Sequence, residues 1–340
     1  MKLSVVITTR NEADNIANCI RAFDGVRDRV EIIVVDNAST DATKRIAADL
    51  GAVVLEKGPE RSAQRNLGWR TAKADWVVVL DADMILPTET IGEILRVCDP
   101  SRGGDDETRA YWIPEVRTGE GLRTKARNFE RSFYDGTYID ALRLFHRSVL
   151  EATGGYDENL IAGGEDWELD LRILETGAKC AVLGRHLIHN EKKLSLKRLL
   201  EKKAYYTKSM AAYQAKWKGH PALGKQFGLG YRYFGVFVEN GKWRRLLRHP
   251  ILAAVMYAER ILVGFTYLLN RYTETRHSCR VRKEWIQSLR QNRFSWKVAT
   301  APSRSSPRSR KSWALTRTSR SAFRADSAAG SGGCARCAAR

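Results

Sequence analysis

No stretch of this 340-residue chain offers about 20 apolar residues free of charge, the length a helix needs to cross a bilayer. Its longest apolar run, 251–269, is interrupted by Glu259 and Arg260. A charge at mid-bilayer costs about 2.5–3.5 kcal/mol on insertion scales, so a clean span is disfavoured. Glycine-rich phosphate cradles are missing too: neither GxxxxGK[ST] nor GxGxxG occurs. Phosphate groups, if bound, must be held another way. The six cysteines (Cys19, Cys98, Cys180, Cys279, Cys334 and Cys337) are scattered, and Cys334-x-x-Cys337 lacks the second pair a zinc site requires. An apolar run begins at the third residue and leaves no room for a targeting segment, so the thiols are expected to be reduced and the protein cytoplasmic. Acidic residues are scarce toward the end. Residues 192–296 carry 23 Lys/Arg against 5 Asp/Glu, and 297–340 carry 10 against 1.

The first 191 residues are net acidic by contrast, with 25 Lys/Arg against 33 Asp/Glu. The two halves therefore face different surroundings. A basic surface suits phosphate-rich partners, either nucleic acid or anionic lipid, or is simply solvated. The length favours one large α/β unit with an appendage. "LSVVITT" reads as a buried parallel strand. "EADNIANCIRAF" follows as a helix with Ile16, Cys19, Ile20 and Phe23 on one stripe. Next come the strand "EIIVVD", a helix start at Ser39, Thr40 and Asp41 running to about Leu50, the strand "AVVL", a helix over about 61–73 and the strand "WVVVLDAD". Strands alternating with helices at this pace imply right-handed βαβ units, a parallel sheet, and ligands at the carboxyl ends of the strands. Asp36 and Asp81 stand at that edge. Beyond residue 110 the pattern loosens, with a polar helix near 123–133 and a basic, aromatic helix over 195–218. From about 298 the Ser/Arg/Ala/Gly composition cannot support a core.

"SVVITTRNEADNI", "IIVVDNASTDAT", "RSAQRNLG", "VVVLDADMILP" and "GGEDWELDLRI", in that order, resemble a family 2 glycosyltransferase with the GT-A fold. The resemblance covers about residues 1–215. It implies a nucleotide-diphospho-sugar transferase of mostly parallel sheet and flanking helices, with a divalent metal, Mg²⁺ or Mn²⁺, in place of a glycine cradle. Hard cations favour carboxylate and phosphate oxygens, and Mg²⁺ commonly takes only one or two protein carboxylates. By this resemblance Asp83 is a direct metal ligand, Asp81 supports the metal or contacts the ribose, and Ala82 lies between them against the donor. Asp36 accepts from the base, and Thr8, Arg10, Asn11 and Glu12 flank the nucleotide. The donor is UDP- or GDP-linked, and the product is inverted.

Gly163-Gly164 permits a sharp turn into a helix, with Glu165 and Asp166 in its first turn. Trp167, Leu171 and Leu174 would bury one face and aim Asp166 elsewhere. A carboxylate there is kept ionised by the helix N-terminus, as a general base must be. By resemblance Asp166, with Glu165 beside it, deprotonates the acceptor hydroxyl. Glu168 and Asp170 read as solvent or salt-bridge groups. Arg61, Arg65 and Asn66 either reach the donor or are helix-surface groups, and Glu12 is equally a carboxylate at a helix start. His189 either approaches the metal or is structural, and Trp112 and Tyr138 stack on sugars or fill the core.

The basic segment 216–296 is expected to be a helical appendage. Its stretch 251–269, flanked by Trp243, Arg244, Arg245, Arg248 and Arg271, suits a helix lying at an anionic membrane interface, or else an internal hairpin. Membrane attachment would fit a polyprenyl-linked or other lipid or glycan acceptor in cell-envelope assembly. A DxD also ends the first strand of haloacid-dehalogenase-type phosphatases, but here it ends the fourth. No nucleic-acid-reading motif occurs in 192–296, so a nucleic-acid partner is not expected.

Overall fold

Three apolar runs form the centre of the main sheet in this computed structural model, which describes residues 2–99, 101, 107–160, 163–190 and 210–262. They are β1 (Leu3–Thr9), every residue of it buried, β2 (Val30–Asp36) and β4 (Trp76–Asp81). Strands covered on both faces must be apolar throughout, which is why these runs barely alternate. Their side chains nonetheless sort by period two. Val5, Ile7, Val34, Val78 and Leu80 enter one core layer, while Val6, Ile33, Val35, Val77 and Val79 enter the other. β1 pairs in parallel with β2 and β4, in a register that sets Thr9 beside Asp36 and Thr8 beside Asp81. Both carboxylates therefore emerge at the same edge.

The sheet extends outward through β3 (Val53–Glu56) on one side and β8 (Leu142–His146), β6 (Thr108–Trp112) and β9 (Lys179–Val182) on the other, in the order β3-β2-β1-β4-β8-β6-β9. Four of its six strand pairings are parallel, and only those of β8 are antiparallel. The expected mostly parallel α/β sheet with flanking helices is what the chain builds. On one face α1 (Ile16–Arg21) buries Ile16, Cys19 and Ile20, the expected stripe. On the other, α3 (Arg61–Thr71) lies so close to β1 that a Cβ on Gly68 would sit 2.2 Å from Val6 Cγ1. The helix expected from Ser39 is α2 (Thr43–Asp49). It starts later because the Asp41 carboxylate accepts from the Thr43 amide at 3.0 Å and the Ser39 hydroxyl is taken by the Asn11 amide at 2.8 Å.

A second sheet of three short strands, β5 (Met84–Ile85), β10 (Leu187–His189) and β7 (Glu115–Arg117), sits at the same edge. β10 is its middle strand, antiparallel to β5 and parallel to β7. Past β7, α5 (Leu122–Arg131) leads to Phe133, Tyr134 and Ile139, which are buried together with Val236, Phe237 and Met256. The described part of the basic segment thus packs on α5 and its neighbours, and falls with them in one unit, Met1–Tyr267. A helix over 250–262 turns its two charges inward: Arg260 Nη1 donates to Tyr134 Oη at 2.5 Å and to Glu130, while Glu259 meets Arg123 Nε at 2.8 Å. Leu247, Ile251 and Ile261 face outward. Among the described residues no helix is long and apolar enough to cross a membrane. The expected helix over 195–209, the end of the apolar stretch, Arg271, the last three cysteines and the tail 297–340 lie outside the described residues.

Candidate active site

The carboxyl edge of β1, β2 and β4 opens into a cavity of about 710 Å³. Thr8, Arg10, Glu12, Asp81, Ala82, Asp83, Glu165, Asp166 and His189 all line it. Residues far apart in sequence are thus gathered on one concave surface of a size that suits a bound ligand. Asp36 and Asn11 do not line it. Asp36 is fully buried; its Oδ2 accepts from the Ser39 amide at 2.7 Å, and its Oδ1 has no partner among the described residues. Asn11, held at φ 53°, secures the following loop through the Thr40 amide at 2.9 Å. Glu12 accepts from Asn15 Nδ2 at 2.6 Å, a contact within its own turn.

Arg65 is not a helix-surface group. Its side chain is wholly buried beneath the cavity and joins two of the sequence motifs. Nη1 lies 2.6 Å from Asp166 Oδ1 and 3.7 Å from Glu165 Oε1, and Nη2 lies 3.3 Å from Asp81 Oδ1. The guanidinium also lies over the Tyr156 ring at 5.1 Å. Thr8 Oγ1 donates to Asp81 at 2.9 Å, and Arg61 stands 3.7 Å away. Burial alone would raise the Asp81 carboxyl, but Arg65, Arg61, Arg143 and the Thr8 hydrogen bond hold it well below the ordinary carboxylate range. Asn66 is spent elsewhere: Nδ2 donates to the Tyr156 carbonyl at 2.9 Å and to Glu158 at 2.8 Å.

The small sheet builds the other wall. Pairing His189 with Met84 sets the imidazole beside Asp83, with Nε2 to Oδ2 at 3.1 Å. The opposite nitrogen meets Glu115 Oε1 at 2.9 Å. Burial would lower the His189 pKa, yet the hydrogen bonds to Asp83 and Glu115 raise it to about 9. The same contacts, with Arg131, overcome burial and keep Glu115 strongly acidic. Asp81, Asp83 and His189 were expected to share a metal. Among the described residues no group of three or more His, Cys, Asp or Glu is placed to cage an ion. Asp81 points to Thr8 and Arg65 instead, which leaves Asp83 and His189 as the two adjacent donors. Asp83 offers the carboxylate oxygen that Mn²⁺ and Mg²⁺ both prefer, whereas an imidazole nitrogen suits the softer Mn²⁺ better than Mg²⁺.

Gly163 (φ 76°) and Gly164 (φ 88°) both adopt the left-handed conformation open to glycine, and α7 (Glu165–Glu175) begins directly after them. Asp166 remains partly open to the cavity, while Glu165 is buried with Oε2 unpartnered among the described residues. Burial and the adjacent Asp166 charge push the Glu165 carboxyl up. α7 is buried on two sides: Leu169 and Ile173 enter one core layer with Leu174 against it, Leu171 packs with Trp167 and Tyr213 on the other side, and Glu168 and Asp170 are carried inward as well. Neither faces solvent, and of the two expected roles Glu168 takes the salt bridge while Asp170 takes neither. Glu168 pairs with Arg172 at 2.5 Å and Lys216 at 2.7 Å, and Asp170 accepts from the Leu142 amide at 3.0 Å. Trp112 fills the core beneath the sheet, and Tyr138 packs on the cluster of Leu171 and Tyr213.

Glu115 and Arg143 are among the cavity residues that escape the sequence reading. Glu115, behind His189, follows a proline in a loosened stretch. Arg143 is the polar position of the strand "LRLFH" and is only 8% exposed. A charge inside an otherwise apolar strand was the signal available for it.

Residues 4–154 match the family model described as glycosyl transferase family 2. An uncharacterized glycosyltransferase of Rickettsia prowazekii is 39% identical over 94 residues, 27% of this chain and 32% of that protein. The pre-mycofactocin glycosyltransferase of Mycobacterium tuberculosis is 26% identical over 233 residues, 62% of this chain and 47% of that one. The chain thus spans about a third to a half of the length of these curated relatives. Among solved structures, a mannosyltransferase from Pyrobaculum calidifontis in complex with GDP-Man and Mn²⁺ superposes with a TM-score of 0.49 at 21% identity, covering 79% of this chain and 80% of that chain.

Proposed function

We propose, from the match of residues 4–154 to the model described as glycosyl transferase family 2, that this chain transfers a sugar from a nucleoside-diphosphate donor, UDP- or GDP-linked, to an acceptor hydroxyl. The observation that carries the reading is the convergence of Asp83 with His189 and of Asp166 on one cavity at the carboxyl edge of the sheet. Asp83 and His189 would hold Mg²⁺ or Mn²⁺, with Glu115 orienting the imidazole from behind. When bound, such a cation neutralises the diphosphate and makes it a better leaving group.

The chain's own groups do the rest. Thr8, Arg10 and Glu12 border the nucleotide half of the cavity. The unpartnered Asp36 Oδ1, buried at the end of β2, is the acceptor the base would use. Arg65 supplies Asp81 and Asp166 with a buried counter-charge. Asp166 takes the proton of the acceptor hydroxyl, which attacks the anomeric carbon opposite the departing diphosphate and inverts it. Burial and the adjacent Asp166 charge push the Glu165 carboxyl up, which disfavours a second charge beside that base.

The acceptor we propose is a polyprenyl-linked or other lipid or glycan hydroxyl, met at the cytoplasmic face of the cell membrane. The support is the outward face of the basic segment, a set of exposed apolar side chains (Leu247, Ile251, Ile261, Trp243) interspersed with Arg244 and Arg248. Residues 216–296 would then be a membrane-facing appendage on the catalytic domain 1–215, with 297–340 outside both.

Purified protein incubated with a set of nucleotide sugars should release nucleoside diphosphate only when Mg²⁺ or Mn²⁺ is present. Equal release with chelator, or no binding of any nucleotide sugar with either metal, would overturn the reading.

A further inference from the structure

Beyond lending its charge to Asp81 and Glu115, Arg143 has no role in the machinery above. It is only 8% exposed, it lines the cavity, and among the described residues it makes no hydrogen bond or ion pair. None of its nitrogens is among the sealed, unpartnered atoms, so they reach open space through the cavity. A guanidinium keeps its charge under all ordinary conditions and carries five donors. Holding one this deep without a partner is costly unless a ligand completes it. The carboxylates nearest in effect, Asp81 and Glu115, feel its charge but hydrogen-bond to other groups.

Its place in the sheet says which part of a ligand it meets. β8 flanks β4 on the side away from β1 and β2, whose ends carry Thr8, Thr9, Arg10 and Asn37. On its own side the Leu142 amide, next in sequence to Arg143, donates to Asp170 of α7, the helix whose first turn carries Asp166. That is the half in which a hydroxyl must stand to be deprotonated by Asp166, an assignment resting on the function proposed above.

We propose that Arg143 is a specificity-determining residue that binds an anionic group, a phosphate or carboxylate, carried by the acceptor. The fork of the guanidinium matches such a group bidentately, and the low dielectric of the cavity strengthens the contact. A neutral acceptor would leave Arg143 unpaired and be disfavoured for that reason. The same oxygen chemistry is present in the donor diphosphate, so the test must separate the two.

Wild type, Arg143→Gln and Arg143→Lys are each saturated with Mn²⁺ and UDP or GDP and titrated calorimetrically with inorganic phosphate. The phosphate titration is repeated without nucleotide, and melting curves check the fold. Wild type should bind phosphate on top of the nucleotide. Arg143→Gln should weaken that binding about tenfold or more, while Arg143→Lys, which keeps the charge and loses the fork, should fall between the two. Affinity for the Mn²⁺–nucleotide should barely change. Equal phosphate binding by wild type and Arg143→Gln in both titrations overturns the proposal. So does a parallel loss of nucleotide affinity in Arg143→Gln, which would give Arg143 to the donor diphosphate. Failure of wild type to bind either nucleotide with Mn²⁺ counts against the proposed function, while the nucleotide-free comparison still decides Arg143.

Discussion

Arg65 reaches Asp166 at 2.6 Å from inside the core, across 101 positions of sequence, with none of its own side chain exposed. The same guanidinium touches Asp81, so one buried cation serves both the edge of β4 and the start of α7. Replacing Arg65 with Met should therefore destabilise the fold as well as abolish transfer, because Asp81 and Asp166 lose their counter-charge. Breaking a buried pair in this way costs about 3–5 kcal/mol. Urea unfolding would measure it, and a loss below about 1 kcal/mol would show that the pair carries little of the stability.

Asp83→Ala should leave the melting temperature of the metal-free protein nearly unchanged and remove the Mn²⁺-dependent part of nucleotide binding. Glu115→Gln should act more mildly, through His189, lowering metal affinity about 10- to 100-fold. Calorimetric titration of nucleoside diphosphate with and without Mn²⁺ reads both. Binding by Asp83→Ala that still rises with Mn²⁺ would move the metal elsewhere.

Asp166→Asn keeps an oxygen for Arg65 and loses the basic site. Donor binding should survive, and the transfer rate should fall about 10²- to 10⁴-fold. Wild-type turnover in this variant would exclude Asp166 as the base.

Burial pushes the Asp140 carboxyl up to about 6 from its ordinary 3.8 despite the Arg131 contact at 2.9 Å. The folded chain therefore binds more protons than the unfolded one between those values. Stability from this group falls as pH rises from about 4 to 6 and is level above, each pH step across that window removing at most about 1.4 kcal/mol. Other carboxylates, such as Asp81, slope the opposite way. The readable quantity is the difference between wild type and Asp140→Asn, unfolded by urea at pH 4.5, 5.5 and 7. A flat difference across that window would contradict the raised value.

Vesicles rich in anionic lipid should co-sediment the protein at low salt, and neutral vesicles should not. Ile251→Ser with Ile261→Ser, or Arg244→Gln with Arg248→Gln, should weaken the attachment while leaving release of nucleotide from a soluble donor unchanged. If both double variants bind vesicles like wild type, the outward face of 250–262 is not the membrane contact.

How much could be read from the chain alone follows from distance and pattern. β1, β2 and β4 were legible because burial on both faces demands uninterrupted apolar runs, and each ends at the edge where the cavity opens. The α7 start was legible because paired glycines announce a turn that other residues resist. The inward side of α7 was not: Glu168 and Asp170 look like surface acids, and only the arrival of Arg172, Lys216 and the Leu142 amide explains their burial. Strands as short as β5, β7 and β10 carry too few residues for a period. The contact of Asp83 with His189 spans 106 positions and that of His189 with Glu115 spans 74, so no local signal links them.

That corner has a consequence for how the chain tolerates change in length. Asp83, His189 and Glu115 are aligned only by the pairing of three minimal strands, with His189 opposite Met84 and Leu187 opposite Glu115. Surface loops between β7 and β10 can be lengthened or trimmed by engineering without altering that alignment. Inserting one residue between Asp83 and Met84 would slip the register by one and part the carboxylate from the histidine it now meets. The distance over which sequence can drift freely is therefore set by three brief strands, not by the much larger sheet beside them.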